Sequence, residues 1–372
     1  MKRWLNLASL GSRPKPPVGT TPADVVHAEN KWTLRRLRPR AAGLAFRTPV
    51  LLVPSLINRW YVLDLLPGKS FAEFLSAQGH DVFVIDWGTP SDEDRFLSFD
   101  AIVDGYLGRA LRVAARLGGA EQAHVLGYCL GGTLAAIHAA AHQERVASLV
   151  AVAAPIRFHD DGLLSAWSRT STLDLGALVQ ACGNVPWQLM QSAFHLLRPT
   201  LSLSKAVRLL DRAWDDEFLD GFLALETWGS DAVSFPGAAY RRYIEDLYRG
   251  DQLVRGTFAV SGAPVRLSAI EAPTLAITFE HDNIVPWAGA KELVDRVGTN
   301  DKEWLHLPGG HVGAMVSRAA ARSLWPRISA WWAARDPRAS TITTAAPGGR
   351  DAAAPKVSRR AANRSKRRAA AS

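Results

Sequence analysis

The sequence has very little cysteine: Cys129 and Cys182 are the only two among 372 residues. Two thiols cannot build a disulfide framework, so a reducing compartment is expected. Long apolar runs are missing as well. Nothing approaches the roughly 20 residues that span a bilayer. The stretch after Met1-Lys2-Arg3 is interrupted by Asn6 and Ser9 before it reaches the length of a signal-peptide core. These absences predict a cytoplasmic protein without a membrane span. No internal repeat is present, which excludes repeat architectures.

The formal charge of +9 would point to nucleic acid if it were spread over a folded body. It is concentrated instead. Residues 341–372 hold eight basic side chains (Arg350, Lys356, Arg359, Arg360, Arg364, Lys366, Arg367 and Arg368) against one acid, Asp351, so they carry +7 and leave only +2 for the rest. Periodicity is lost after Trp332, and the composition predicts a disordered basic tail over 336–372. Such a tail can contact DNA or another polyanion, or merely keep the chain soluble; both readings stand. Residues 1–21, rich in Gly, Pro, Lys and Arg, are expected to be loosely ordered.

What is present is a globular body, 48% hydrophobic and 21% charged. Val50–Val53, closed by Pro54, reads as a buried strand, and Asp81–Asp86 as another. A helix is expected between them, with Ser70 as N-cap and Gly79 as stop. Phe99–Leu117 has helical periodicity, His124–Leu126 reads as a short strand, and Thr133–Ala141 as an alanine-rich helix. Continuous apolar strands alternating with helices predict a mainly parallel sheet covered on both faces. The pattern resumes at Leu149–Ala153 and Thr274–Phe279. Between them a Trp-, Leu- and Arg-rich stretch breaks it, with helices expected at Ala206–Trp214 and Ala239–Tyr248. The expected organisation is therefore a core over 22–154 and 265–335, with a helical cap inserted at 155–264.

Gly127-Tyr128-Cys129-Leu130-Gly131 fits the nucleophile-elbow pattern G-x-S-x-G with cysteine in place of serine, and it falls where a strand turns into a helix. This predicts an α/β-hydrolase fold. The turn is too tight for side chains two positions before and after the nucleophile, and Gly127 and Gly131 meet that need. A free cysteine is usually just a small buried hydrophobe, but the paired glycines and the strand-turn-helix frame favour a nucleophile at Cys129. Cys182 has no such frame and reads as inert packing. The Leu130 N–H is one candidate oxyanion donor, and the fold places the second after the first strand, at Leu56 or Ile57.

In this fold the acid and then the histidine follow the nucleophile in chain order. Asp282 follows the Thr274–Phe279 strand, and His311 lies in the loop Pro308-Gly309-Gly310-His311. His311 is the candidate base and Asp282 its orienting acid. His124, His138 and His142 flank the elbow in sequence, but their positions direct them away from it, into solvated or core roles. His281 points opposite to Asp282 on an extended chain. Asp86 precedes the nucleophile, which fits turn formation better than catalysis.

With Pro54-Ser55-Leu56-Ile57-Asn58-Arg59, Asp64-Leu65, Val84-Ile85-Asp86-Trp87-Gly88, the cysteine box, Trp228, Phe235-Pro236-Gly237 and His281 to Trp287, the chain resembles the polyhydroxyalkanoate synthases, specifically the short catalytic subunit of the two-component (class III) type. The resemblance runs from about Thr21 to Trp332. It implies a Cys–His–Asp acyltransferase that polymerises (R)-3-hydroxyacyl-CoA to polyester with release of CoA, needing no cofactor or metal. It further implies a second, non-catalytic subunit, a homo-oligomer, and a place at the surface of polyester granules. The longer synthases carry an extra N-terminal domain for which this chain has no room, and the basic tail departs from the pattern. Two rivals stand beside this reading: a cysteine-nucleophile hydrolase (thioesterase or polyester depolymerase), and a granule- or DNA-associated protein acting through its tail.

Overall fold

A computed structural model describes residues 1–39, 43–197 and 199–336. Eight strands form one sheet: β1 (Ala23–Glu29), β2 (Trp32–Leu37), β3 (Val50–Val53), β4 (Val82–Asp86), β5 (Ala123–Tyr128), β6 (Val146–Val152), β9 (Thr274–Phe279) and β10 (Lys302–Leu307), in spatial order β1-β2-β4-β3-β5-β6-β9-β10. From β4 to β10 every pairing is parallel. The β1–β2 hairpin adds antiparallel to β4 at one edge. β7 (Ala259–Val260) and β8 (Ala263–Pro264) make a separate two-stranded ribbon. The mainly parallel sheet is as expected. The hairpin was not foreseen, because its Arg- and Thr-bearing residues lack the continuous apolar signature of the central strands.

The helices are α1 (Lys2–Ala8), α2 (Phe71–Ala77), α3 (Gly108–Leu117), α4 (Leu130–Ala141), α5 (Leu163–Ser168), α6 (Leu175–Cys182), α7 (Trp187–Leu197), α8 (Leu201–Arg212), α9 (Asp216–Ser230), α10 (Gly237–Arg242), α11 (Gln252–Arg255), α12 (Trp287–Arg296), α13 (Gly313–Val316) and α14 (Trp325–Ala333). Ser70 caps α2 by accepting the Glu73 N–H at 2.8 Å. The stretch before α3 is wound as a π-helix, Ala101–Leu107, and a second one, Tyr243–Arg249, follows α10. Between β6 and β9 the chain is helical from α5 to α11. It shares a hydrophobic cluster with the sheet, in which Val185, Phe235, Ala239, Leu247 and Phe258 pack with Leu56, Leu130 and Leu134. The opposite sheet face is closed by Phe71 and Leu75 of α2 and by Trp325, Ile328 and Trp332 of α14.

Residues 1–21, expected to be loosely ordered, contain α1 and are tied down: Asn6 donates to the Ala213 carbonyl at 2.8 Å, and Arg13 pairs with Asp220 at 2.8 Å. Single-residue polar anchors of this kind leave no periodic signal in sequence. The basic tail lies outside the described residues except for Asp336, which is buried and accepts the Thr48 N–H at 2.8 Å. Among the described residues no helix is long and apolar enough to cross a membrane.

Candidate active site

The site is built at the C-terminal ends of β3, β5, β9 and β10. At the end of β5 the backbone turns at Cys129 with φ 56° and ψ −131°, and α4 starts at Leu130. A non-glycine residue in this region is strained. What holds the turn is its surroundings: the Cys129 N–H donates to Val152 O at 2.9 Å, and three glycines let the backbones close in. A Cβ on Gly127 would sit 2.3 Å from Gly132 Cα, and one on Gly131 would sit 2.1 Å from Val53 O. Gly132, which the spacing rule does not single out, has the same constraint, with Ala154 Cβ at 2.5 Å.

Asp282 and His311 are brought to this turn by neighbouring strands. The Asp282 Oδ1 accepts the N–H groups of Ile284 and Val285, each at 2.9 Å, which fixes the carboxylate. Its Oδ2 lies 2.7 Å from His311 Nδ1. Loop contacts hold the pair in place: Glu280 N–H donates to Leu307 O, and His281 N–H to Gly309 O, each at 2.9 Å. From the elbow strand, the Tyr128 hydroxyl donates to His311 O at 3.1 Å. The Cys129 sulfur lies within electrostatic reach of the His311 ring. Burial opposes a charge on His311, but the Cys129 sulfur and the Asp282 carboxylate outweigh it and push the imidazole up to about 10. The three candidate residues therefore form one contiguous constellation.

The loop after β3 reaches the same point, since Gly131 packs against Val53 O and Pro54 O. Leu56 N–H, Ile57 N–H and Leu130 N–H have no hydrogen-bond partner among the described residues. Ile57 O accepts Val233 N–H at 3.2 Å, so the helical insertion is stitched to this loop.

Two residues of the insertion enter the site without a sequence signal. Tyr243 and Tyr248 pack edge-on with ring centroids 5.3 Å apart and lie within electrostatic reach of Cys129. Burial raises both phenols above their ordinary value, and the nearby Cys129 sulfur adds to it. Their spacing of five residues is set by the π-helix, a period that α- and β-templates do not test for. Phe158 packs edge-on against both rings.

The other candidates lie elsewhere. His124 is buried against Ser148 at 2.8 Å and stacks on Trp332. His138 and His142 flank Asp104, and His142 Nε2 is 3.2 Å from its Oδ1. His281 is exposed. Asp86 pairs with Arg35 at 3.0 Å and accepts the Gly88 N–H. Cys182 is not packed, as expected from sequence, but exposed at the last residue of α6, where the helix end leaves its side chain uncovered. Among the described residues no group of three or more His, Cys, Asp or Glu is arranged to hold a metal.

A tight nucleophile elbow on a mainly parallel sheet defines an α/β-hydrolase-fold protein. The family model for the alpha/beta hydrolase fold matches residues 48–317. Among solved structures, monoglyceride lipase from Saccharomyces cerevisiae superposes with a TM-score of 0.55 at 13% identity, covering 87% of this chain and 99% of that one. An esterase from Thermogutta terrifontis gives 0.51 at 17%, covering 84% and 97%. These likenesses establish the fold alone. A second family model, the poly-beta-hydroxybutyrate polymerase (PhaC) N-terminus, matches residues 16–75.

Proteins named poly(3-hydroxyalkanoate) polymerase subunit PhaC are similar over most of the chain. The one from Allochromatium vinosum is 34% identical over 84% of this chain and 88% of its own length, and that from Synechocystis sp. 33% over 86% of each. The Haloferax mediterranei protein is 35% identical over 86% of this chain, which spans only 65% of that longer relative. The chain belongs to the poly(3-hydroxyalkanoate) polymerase PhaC family.

Proposed function

We propose that the protein is a poly(3-hydroxyalkanoate) synthase that grows polyester from (R)-3-hydroxyacyl-CoA on Cys129. The observation that carries the mechanism is the Asp282–His311–Cys129 relay: a 2.7 Å carboxylate contact fixes Nδ1 of His311, leaving Nε2 for the sulfur. In this reading His311 takes the Cys129 proton, and the thiolate attacks the acyl-CoA carbonyl. The N–H of Leu130, with that of Leu56 or Ile57, holds the oxyanion. The C–S bond to CoA then breaks, and His311 returns its proton to the departing thiolate.

Sulfur suits this task. The acyl transfer exchanges one thioester for another, so the energy of the bond is retained for the next step. His311 then removes the proton of an incoming 3-hydroxyacyl-CoA's hydroxyl, whose oxygen attacks the Cys129 thioester to form the ester link. The Cys129 C–S bond breaks and the sulfur leaves as thiolate. The chain, now one unit longer on CoA, returns to Cys129 when that thiolate attacks its CoA thioester, and CoA leaves with the proton held on His311. A serine would form an oxygen ester and lose that driving force.

The helical insertion over 155–264 acts in this reading as a cap that shields the thioester from water, and Tyr243, Tyr248 and Phe158 are its inner surface. We extend the proposal to a homo-oligomer working with a second, non-catalytic subunit at the granule surface, without a cofactor. The basic residues of 341–372 are proposed to contact polyanions without taking part in catalysis.

Purified protein given (R)-3-hydroxybutyryl-CoA tests this. CoA release together with insoluble polymer is the expected result. Release of free 3-hydroxyacid without polymer would make the protein a thioesterase.

A further inference from the structure

The loop that carries the second candidate oxyanion donor does not fix itself. Leu56 and Ile57 form a turn whose closing hydrogen bond, from Asn58 N–H to Ser55 O, is long at 3.5 Å. A contact of that length is weak, so the directions of the Leu56 and Ile57 N–H groups are set by whatever holds the two ends of the loop. At the first end the core holds it. The Trp87 indole N–H donates to Pro54 O at 3.0 Å, and Gly131 packs on the same carbonyl.

At the far end the helical insertion holds it. Asp231, which follows the last residue of α9, divides its carboxylate between two donors: Oδ1 accepts Arg59 Nε–H at 2.9 Å and Oδ2 accepts the Tyr61 hydroxyl at 2.7 Å. Trp228, one turn earlier in α9, donates its indole N–H to Arg59 O at 3.0 Å, and Val233 N–H donates to Ile57 O at 3.2 Å. Four hydrogen bonds therefore join residues 228–233 to residues 57–61, and none of them involves Asp282 or His311. The Asp231 side chain is 43% exposed, and an ion pair in such a place adds little to stability. Its two bonds give direction instead, because they pin consecutive parts of one loop to a helix end that is itself fixed by Asp231 N–H donating to Thr227 O at 3.1 Å.

We infer that Asp231 is a positioning residue for the oxyanion site: by clamping Arg59 and Tyr61 it sets the peptide planes of Leu56 and Ile57, so that seating of the insertion and assembly of the second donor are one event. Donors of this kind act only when they are aimed in advance at the place where the oxyanion forms. With the insertion displaced, the nucleophile and its base stay together while the oxyanion site is incomplete. The inference rests on the synthase reading above.

Two reactions of the same sulfur test it, in full-length wild type, Asp231→Ala and Tyr61→Phe. Iodoacetamide alkylates Cys129 by displacing iodide and passes through no oxyanion, whereas (R)-3-hydroxybutyryl-CoA acylates it through one; both adducts are read on the Cys129 peptide by mass spectrometry. Asp231→Ala is expected to be alkylated at the wild-type rate but to release the first equivalent of CoA on the order of tenfold to a hundredfold more slowly, with kcat lowered and KM unchanged. Tyr61→Phe keeps the ring and loses one of the bonds to Asp231, so a smaller loss of the same kind is expected. Release of the first equivalent at the wild-type rate in both variants overturns the inference. Equal slowing of alkylation and acylation also overturns it, since the sulfur or its base would then have moved rather than the oxyanion donors. If Asp231→Ala does not fold, Tyr61→Phe decides by the same comparison. A wild type that turns over without acylating Cys129 would sink the synthase reading and this inference with it.

Discussion

Asp282→Asn keeps the shape of the side chain and changes one hydrogen-bonding atom. The two N–H donors of Ile284 and Val285 converge on Oδ1, each at 2.9 Å, so the amide oxygen must take that position. The amide NH₂ then falls where Oδ2 stood, 2.7 Å from His311 Nδ1. Two donors cannot share that contact, so Nδ1 must give up its proton and become the acceptor. The proton moves to Nε2, which points at Cys129 and can no longer accept the thiol proton. An orienting aspartate changed in this way costs about three to four powers of ten in kcat, roughly 4–5.5 kcal/mol. The assay is CoA release under saturating (R)-3-hydroxybutyryl-CoA, with the fold verified by thermal melting. Activity within about tenfold of wild type would refute the tautomer argument, since a tenfold change is only about 1.4 kcal/mol.

Gly127→Ala places a methyl 2.3 Å from Gly132 Cα and should cost at least about 3 kcal/mol or prevent folding, seen as a lowered Tm or loss of soluble protein; an unchanged Tm would contradict the close packing of the elbow. Burial lowers His80 and His138 to about 4 and His124 to about 3, so their neutral forms stabilise the fold above pH 6.5, and that stability is lost as pH falls toward 4. At pH 5 each of the three withdraws about 2 kcal/mol, which urea melts at pH 7 and 5 will reveal; His80→Gln and His124→Gln should flatten the dependence. His311 has the opposite sign: the Cys129 sulfur and Asp282 hold it protonated up to about 10, so its contribution is complete below pH 6.5, declines above it and is gone once pH has risen through about 10. NMR titration of the His311 ring in wild type and Cys129→Ala should show a lower value in the variant, where the sulfur is gone.

The central fold was legible because buried parallel strands leave continuous apolar runs: Val50–Val53 and Thr274–Phe279 were found at their observed bounds. β10 was not, because its exposed edge position allows Lys302, Glu303, Trp304 and His306 to interrupt the pattern. β1, at the opposite edge, is interrupted by Asp24, His27 and Glu29, and β2 beside it by Thr33, Arg35 and Arg36, so neither leaves a continuous apolar run. In the candidate site, Cys129, Asp282 and His311 could be named from motif and chain order, since the glycines around the elbow are dictated by sub-3 Å backbone approaches. Tyr243 and Tyr248 could not, because only the folding of the insertion onto the sheet brings them near Cys129. Gly132 carries the same constraint as its neighbours, yet its partner is Ala154, on the next strand's loop and invisible to local spacing.

The central claim is that the polyester grows on Cys129. Protein quenched in acid during turnover, digested, and read by mass spectrometry tests it directly. A ladder of 3-hydroxyacyl additions on the peptide containing Cys129, absent from Cys129→Ala together with all polymer synthesis, is the predicted result. Additions confined to the Cys182 peptide, or full polymer synthesis by Cys129→Ala, would contradict the account.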